Sequence, residues 1–398
     1  MNDFDAPMGA ILKQARDAAG LSLTQMTERL YRSRGYLSNI ENGNKPVPAD
    51  VIEGYESVLG VGDLLSRLAA VQEVEDDLYR RVLLHWLVTL APVGVTAPEL
   101  AEAMRASIFE AIEGAPDWSE VAAEHGRTFT ATPERELGPR LLADLVVLRE
   151  RIKEAPGDLE ALRAAAQLST LHAMTLTNTG QQLPASRWYR TAHAAARRSG
   201  DLVLDAWVSG RQAFSRQYGG GSAAEVLLLT EAALAGPPIR CVGLVETLGA
   251  RARAYAYLGQ ARKANAALEA AYEIADQIDP GPPDSPFGVA TRLPMIAAYV
   301  YSYTGDRKAA DSRDAVSAAM SKKSARWVAQ VELYEARALV ASGEPTEAVR
   351  HATNVLQALS PQQRNLAVTG LAADVLAALP APERRSTDAS DLAALISA

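Results

Sequence analysis

The sequence predicts an all-α protein with more than one domain. Hydrophobic residues form 48% of its 398 residues, which is enough for a large core, whereas aromatic residues form only 6%. Alanine, the strongest helix former, is abundant, and few segments alternate between apolar and polar residues as strands do. Apolar side chains recur instead at helical spacing, and glycine recurs with small residues at regular intervals. The length allows two or three domains.

Composition excludes several classes of protein. The single cysteine, Cys241, excludes an internal disulfide framework and a cysteine zinc site, and we expect it to be a small buried side chain. The N-terminal residues lack the basic and apolar regions of a signal peptide, and the apolar run at 82–95 is too short to span a bilayer. We therefore expect a cytoplasmic protein without a membrane segment. The net charge of −8 restricts nucleic-acid binding to a local basic patch.

The first 65 residues predict a small helical domain. Ser22 and Gln25 have the spacing of a capping box, and Ser33 precedes a further helix. Gly20 and Gly43 mark helix ends. The residues expected in the core are Ile11, Leu12, Ala15, Met26, Leu30, Leu37, Ile40, Ile52, Tyr55, Leu59 and Leu64. Residues 22–45 thus form two short helices joined by a tight turn, which is the layout of a helix-turn-helix.

The second helix of this pair carries polar side chains on the face opposite Leu37 and Ile40. An arginine can bind the O6/N7 edge of guanine through two hydrogen bonds, and an asparagine can bind adenine in the same way. Neighbouring side chains that hold phosphates position a protein without specifying a sequence. The predicted base-facing residues are Arg34, Gly35, Ser38 and Asn39, and the predicted flanking residues are Arg29, Arg32, Asn42, Asn44 and Lys45. The sequence therefore predicts binding to double-stranded DNA.

Residues 12–59 closely resemble the Xre family of phage-repressor-like helix-turn-helix regulators. The resemblance rests on Arg16, Gly20-Leu21-Ser22, Tyr36-Leu37-Ser38-Asn39-Ile40-Glu41 and Asn42-Gly43. It implies a five-helix, lambda-repressor-like bundle that binds inverted-repeat operators as a homodimer, with a structural ion pair between Arg16 and Glu41. Two residues depart from the family, since Leu23 and Gly35 stand where many members have side chains that contact DNA. Direct readout is therefore expected to depend mainly on Arg34, Ser38 and Asn39.

Residues 66–158 form a second predicted segment. Helices are predicted at 66–90, 97–111, 118–130 and 136–153, with breaks at 114–116 and 131–133 where glycine and proline interrupt the pattern. The segment is either a linker bundle or a set of irregular leading repeats, and the sequence leaves both alternatives open.

Residues 159–398 contain a repeat with a period of 38–46 residues. Its markers are five glycines, each followed five residues later by an alanine: Gly180, Gly219, Gly259, Gly305 and Gly343. Small residues allow two helices to cross closely, and glycine permits the tight turn between them. The predicted units are 159–200, 201–238, 239–280, 287–323 and 324–360, and a last helix pair caps the array.

This pattern resembles a degenerate tetratricopeptide repeat, so we predict a tetratricopeptide-like α-solenoid. A helix-turn-helix head followed by such a body is similar to the Rgg/PlcR-type peptide-sensing regulators of quorum sensing. The resemblance implies that the solenoid binds an effector, which is a short peptide or a small molecule. The residues expected near its concave inner surface are Gln167, Asn178, Arg216, Arg253, Tyr257, Arg292, Tyr299, Tyr303, Gln330 and Arg337. Their amide and guanidinium groups can hydrogen-bond a peptide backbone or a carboxylate.

No pattern in the sequence indicates an enzyme. None of the five histidines has the spacing of metal ligands or adjoins a nucleophile elbow. The glycine run at 219–221 lacks the lysine of a phosphate-binding loop. We therefore expect no catalytic residue, no metal site and no cofactor.

The leading hypothesis is a sequence-specific transcription regulator whose DNA binding responds to an effector held by the solenoid. In a first alternative, the solenoid is a scaffold that recruits another protein and binds no small ligand. In a second alternative, the chain is an antitoxin or a phage-type repressor that is controlled by a partner protein.

Overall fold

The computed structural model of the chain describes residues 8–18, 21–59, 65–66, 117–218, 220–236, 239–279, 287–319 and 324–397. Every regular element in these ranges is a helix, so the predicted fold class is confirmed. The chain divides into two compact units, Met1–Ala115 and Pro116–Ala398. No helix within the same ranges is long and apolar enough to cross a membrane.

The described part of the first unit contains the helices α1 (Met8–Ala18), α2 (Leu23–Leu30), α3 (Arg34–Glu41) and α4 (Ala49–Leu59). Helices α1 and α2 each contact both α3 and α4. The core between them includes Leu12, Met26, Leu37, Ile40 and Tyr55, which are fully buried, as their spacing predicted. The predicted fifth helix lies outside the described residues except for positions 65 and 66, which are helical.

The described part of the second unit begins with α5 (Trp118–Thr128) and α6 (Glu134–Glu154), and twelve further helices follow in pairs. The pairs are α7 (Leu159–Asn178) with α8 (Gln182–Ser199), α9 (Leu202–Tyr218) with α10 (Ala223–Leu234), α11 (Val242–Tyr257) with α12 (Ala261–Ala275), α13 (Val289–Thr304) with α14 (Ala309–Ala319), α15 (Ala325–Ala341) with α16 (Pro345–Gln357), and α17 (Leu366–Ala378) with α18 (Thr387–Ser397). Each of the first five pairs falls within one predicted repeat unit.

Glycine makes the turns inside these pairs, as the repeat pattern predicted. Four of the five marker glycines have positive φ angles between 70° and 87°: Gly180, Gly259, Gly305 and Gly343. This left-handed conformation favours glycine because other L-residues bring their Cβ too close to the backbone. Gly219 lies outside the described residues.

The first helix of each pair belongs to an inner layer. Helices α7, α9, α11, α13, α15 and α17 contact one another in this order. The second helices α8, α10, α12, α14 and α16 each contact their own partner and the helix that follows, and the last helix, α18, contacts α17 and α16. The inner layer closes on itself, because α17 also contacts α7 and α9. Stacked hairpins of this kind form a helical solenoid, and here the closure encloses the inner face.

Helices α5 and α6 both pack on α7. Their bounds agree within two residues with the helices predicted at 118–130 and 136–153. The described part of the segment 66–158 thus packs on the first helix of the repeat array. The helices predicted at 66–90 and 97–111 lie outside the described residues, apart from position 66.

The close crossing of α9 and α11 depends on Gly243. A Cβ atom at this position would lie 2.4 Å from the backbone carbon of Ala206 and from the backbone nitrogen of Trp207. We expect Gly243→Ala to lower the free energy of unfolding by about 1–3 kcal/mol, the usual cost of overpacking a core. Urea denaturation of the full chain measures this change.

Gly370→Ala is the matched control for this substitution. Gly370 lies in α17, and a Cβ atom there would meet no atom of the described residues within 4 Å. Because alanine is the better helix former, the control should be more stable than the parent by about 1 kcal/mol. An unchanged stability of Gly243→Ala would contradict the close crossing.

Candidate DNA interface and interior polar cluster

The local sequence defines both ends of α2. The Ser22 hydroxyl accepts a hydrogen bond from the Gln25 amide at 3.2 Å, and the Gln25 side chain accepts one from the Ser22 amide at 2.8 Å. This is the predicted capping box. Helix α2 ends at Leu30, and its C-cap residue, Tyr31, adopts a left-handed conformation with φ 51° and is 94% exposed. Tyr31 was not among the predicted site residues, although it occupies the turn that leads directly into α3.

Helix α3 is likewise capped at both ends. The Tyr36 amide donates to the Ser33 hydroxyl at 3.3 Å, as predicted from the position of Ser33. At the other end, the Gly43 amide donates to the carbonyl of Ile40 at 3.0 Å and the Asn44 amide donates to that of Asn39 at 2.8 Å. These two bonds form a Schellman motif, which satisfies carbonyls left free at the helix end.

A buried ion pair fixes α3 against α1 and α4. Arg16 donates from Nε to Glu41 Oε1 at 2.6 Å and from Nη2 to Glu41 Oε2 at 2.8 Å. The Tyr55 hydroxyl donates to Glu41 Oε1 at 2.8 Å. Burial, together with the Glu41 carboxylate, raises the pKa of Tyr55 well above its usual value. The expected pair between Arg16 and Glu41 is therefore confirmed, and both residues are parts of the scaffold.

The opposite face of α3 is accessible. Arg34, Gly35 and Asn39 are exposed, and Ser38 is half-buried. Within the described ranges, the side chains of Arg34 and Asn39 have no hydrogen-bond or ion-pair partner. The Ser38 hydroxyl accepts a hydrogen bond from the side-chain Nδ2 of Asn42, which is exposed, at 3.3 Å. The predicted base-facing residues thus share one open surface, held from behind by Leu37 and Ile40.

The predicted flanking residues surround this surface. Arg29, Asn42, Asn44 and Lys45 are exposed. Arg32 Nη2 lies 2.5 Å from Asp50 Oδ2, and both side chains are about half exposed. Arg32 and Lys45 also approach the Tyr36 ring, at 5.9 Å and 5.4 Å from its centroid. Since an exposed ion pair contributes little stability, Arg32 can exchange Asp50 for a phosphate at small cost.

The predicted effector residues do not line an open concave surface. Arg253, Arg292, Tyr299 and Gln330 are exposed by only 1%, 4%, 1% and 7%. This corrects the expectation of a solvent-facing inner face. The physical reason is the closure of the inner layer, in which α17 returns to α7 and α9. Residues on the inner helices therefore face one another instead of water.

An aromatic and cationic cluster fills this interior. Arg253 Nη1 donates to the Tyr218 hydroxyl at 2.6 Å, and its guanidinium carbon lies 3.9 Å from the centroid of the Tyr299 ring. Tyr303 stacks on Tyr299 with 3.9 Å between ring centroids and donates to Asp374 Oδ2 at 2.6 Å. Burial raises the pKa of Tyr303 well above its usual value, and Tyr299 and Asp374 add to this effect.

Glu246 lies between two buried guanidiniums. Arg211 Nε donates to Glu246 Oε2 at 2.5 Å, and Arg292 Nε lies 3.3 Å from Glu246 Oε1. Burial, followed by repulsion from Arg211, lowers the pKa of Arg292 to about 10. Sequence analysis missed Arg211, Tyr218 and Glu246. The sequence contained one signal for Glu246, which is the one charged residue in the segment VGLVETLGA. Because this helical segment has no polar face, its charged side chain is expected to be buried.

The remaining predicted effector residues lie at the edges of this cluster or outside it. Asn178 donates to Glu134 Oε1 at 2.9 Å, and Arg337 lies 5.1 Å from the centroid of the Tyr303 ring. Arg216 donates to Gln182 at 3.0 Å and to Glu225 at 2.9 Å. Tyr257 is 52% exposed, and Gln167 is half-buried. The structure thus brings together Arg253, Arg292, Tyr299, Tyr303, Gln330 and Arg337, and it separates Arg216 from them.

Comparison with known proteins identifies the first unit. A family model described as a helix-turn-helix domain matches residues 7–69. No curated protein and no solved structure gives a significant match to the chain. The matched segment contains α1 to α4 and the open face of α3. The chain therefore carries a helix-turn-helix domain, the kind of domain that inserts its second helix into the major groove of DNA.

Proposed function

We propose that the chain is a transcription regulator of the Xre type that reads an inverted-repeat operator as a homodimer. In this proposal α3 enters the major groove, Arg34 and Asn39 contact base edges, and Ser38 supports them. Arg29, Arg32, Asn42, Asn44 and Lys45 hold the phosphates on either side. A tetratricopeptide-like helical array binds an effector and controls DNA binding. The proposal assigns no catalysis and no cofactor to the chain.

One observation supports this proposal above the others. Arg34 and Asn39 are exposed and have no partner within the described ranges, while the helix that carries them is fixed by two caps, two core anchors and a buried ion pair. Arg34 is the first residue of α3, and the N-terminal residues of a recognition helix are those that reach base edges. A rigid helix with free donors is what direct readout requires.

The enclosed interior of the second unit supports a small effector over an extended peptide. A peptide bound along the inner helices would need a groove open to solvent, and Arg253, Arg292 and Tyr299 are instead buried. An effector that occupies the interior must alter packing between inner helices. Coupling to DNA binding then requires that the effector bind one arrangement of the array more tightly than another.

The decisive test concerns Arg34. Sites selected from a random-sequence DNA pool with the full-length parent serve as probes, and affinities are measured by fluorescence anisotropy at one salt concentration. We expect Arg34→Ala to weaken binding by about 1–3 kcal/mol and to relax base preference at one position of each half-site. Arg34→Lys should retain part of the affinity but lose the preference, because lysine cannot form the paired hydrogen bonds.

Two comparison variants separate base readout from charge. Lys45→Ala should weaken binding to all sequences about equally and lower the salt dependence by about one unit of slope. Lys13→Ala, an exposed cation on α1, should leave both properties unchanged. Unaltered affinity and base preference in Arg34→Ala would remove Arg34 from the set of reading residues. If the selection enriches no DNA sequence, the proposal that the chain is a sequence-specific regulator is refuted.

The scaffold alternative is favoured by a separate observation. Several large apolar side chains at the starts of α8 and α9 and in α10 are exposed by 52–65%: Leu183, Leu202, Val203 and Leu228. Contiguous apolar patches occur where proteins associate, and exposed side chains such as these suit either a recruited partner or a second copy of the chain. Light scattering of the parent and of Leu228→Gln distinguishes the two alternatives. If the surface mediates self-association, Leu228→Gln lowers the molar mass without any added protein, and if it binds another protein, the molar mass stays the same.

A further inference from the structure

A small cavity adjoins the buried arginines of the second unit. Its volume is about 50 Å³, and its lining includes Arg211, Ser215, Tyr218, Arg292, Arg326 and Gln330. Arg211 and Arg292 are exposed by 2% and 4%. In the described part of the chain, Arg211 Nη2 and Arg292 Nη2 have no hydrogen-bond acceptor. Two buried guanidiniums thus offer free donors beside one cavity.

Several acceptors around this cavity are already engaged. Glu134 Oε1 accepts hydrogen bonds from Asn178, Asn365 and Arg326, and the Gln330 side chain accepts one from the Tyr218 hydroxyl. Glu246 Oε2 accepts from Arg211, whereas Glu246 Oε1, 3.3 Å from Arg292 Nε, has no hydrogen-bond partner among the described residues. Arginine carries five donors and no acceptor, so the unpaired nitrogens, Arg211 Nη2, Arg292 Nε and Arg292 Nη2, outnumber this one unpaired oxygen. A ligand that satisfies them must supply acceptor atoms.

The charges show the same imbalance. Arg211, Arg253 and Arg292 are buried together, and Glu246 is the carboxylate that lies between two of them. Asp374 accepts a hydrogen bond from Tyr303, and the nearby cation Arg337 offsets its charge. The interior therefore contains more cations than anions. Uncompensated buried charge is strongly unfavourable, and a bound counter-charge relieves it.

We propose that this cavity binds the oxyanion group of a small ligand, a carboxylate or a phosphate, through Arg211 and Arg292. Planar guanidinium groups match the oxygens of both anions through paired hydrogen bonds. A cavity of about 50 Å³ accommodates a group of roughly four or five non-hydrogen atoms, which is the size of such a group. The anion site stands on these contacts alone, and its role as the effector site rests on the proposed function.

Tyr218 gives the site a spectroscopic signature. Burial opposes ionisation of this phenol, yet Arg253 and Arg292 together lower its pKa below the usual value. An anion bound beside Arg292 neutralises part of that cationic field. We therefore expect a titration of the tyrosinate ultraviolet absorbance to show one ionisation at a pH below that of an ordinary tyrosine. This ionisation should be absent in Tyr218→Phe and should move to higher pH when the anion is present.

Isothermal titration calorimetry on the full chain tests the site directly. The probes are inorganic phosphate and acetate, each added at constant ionic strength, so that their relative affinities distinguish the two anion types. We expect saturable binding of at least one probe, weakened about tenfold or more in Arg292→Met. Arg190→Met, which removes an exposed arginine from α8, should bind as the parent does. Lack of saturable binding to the folded parent, or unchanged binding by Arg292→Met, overturns the proposal.

Two further measurements complete the test. If Arg292→Met does not fold, as judged by helical circular dichroism, the tyrosinate titration of the parent decides. A tyrosinate ionisation whose pH neither phosphate nor acetate shifts would contradict the site. DNA affinity for the selected sites is then measured with and without the bound probe. Anion binding that leaves DNA affinity unchanged refutes the effector role, whereas loss of DNA binding itself, with anion binding intact, refutes only the regulator function.

Discussion

Glu41→Ala is expected to unfold the helix-turn-helix domain. The substitution leaves the Arg16 guanidinium and the Tyr55 hydroxyl buried without the carboxylate that both contact at 2.6–2.8 Å. Removal of one partner of a buried ion pair costs about 3–5 kcal/mol, which is a large share of the stability of a small domain. Hydrogen exchange of the full chain, followed by mass spectrometry, should show fast exchange throughout α1 to α4.

The same measurement contains its own reference, since peptides from residues 117–397 should keep the exchange rates of the parent. Glu53→Ala is the matched control, because Glu53 is an exposed carboxylate on α4. That variant should leave exchange in α1 to α4 unchanged. Full protection of α3 in Glu41→Ala would mean that the Arg16–Glu41 pair does not hold the recognition helix.

Glu246→Ala is expected to have the corresponding effect on the second unit. It leaves Arg211 and Arg292 in the interior without the carboxylate between them, next to the buried Arg253. The expected loss is again about 3–5 kcal/mol, because the remaining charges are buried and cannot reach water. Thermal unfolding of the full chain, together with hydrogen exchange in α9, α11 and α13, measures the loss.

Glu273→Ala, which removes an exposed carboxylate from α12, is the comparison for this variant and should unfold like the parent. If the interior binds oxyanions, phosphate should restore part of the stability of Glu246→Ala, and it should do so more than for Glu273→Ala. A Glu246→Ala protein as stable as the parent would show that the guanidiniums do not depend on this carboxylate.

Features that depend on neighbouring residues were predictable from the sequence. The capping box at Ser22, the cap at Ser33 and the helix end at Gly43 are interactions between residues at most five positions apart. The marker glycines located the hairpin turns because a left-handed turn favours glycine wherever it occurs. The pair between Arg16 and Glu41 came from the family resemblance, since residues 25 positions apart have no local pattern to reveal it.

Different features of the structure determine whether the predicted polar site residues are exposed in the two units. On α3 the helical period sufficed: Leu37 and Ile40 are buried, so Arg34 and Asn39 face outwards. In the second unit the alignment of the marker glycines placed Arg253, Arg292 and Tyr299 on an inner face, and the helices that carry them, α11 and α13, belong to the inner layer. Whether that face meets water depends on α17 packing on α7 and α9, across about 200 residues of chain. Such closure is set by the small rotations between successive hairpins, which add up along the array, and so only the tertiary structure decided that these arginines are buried.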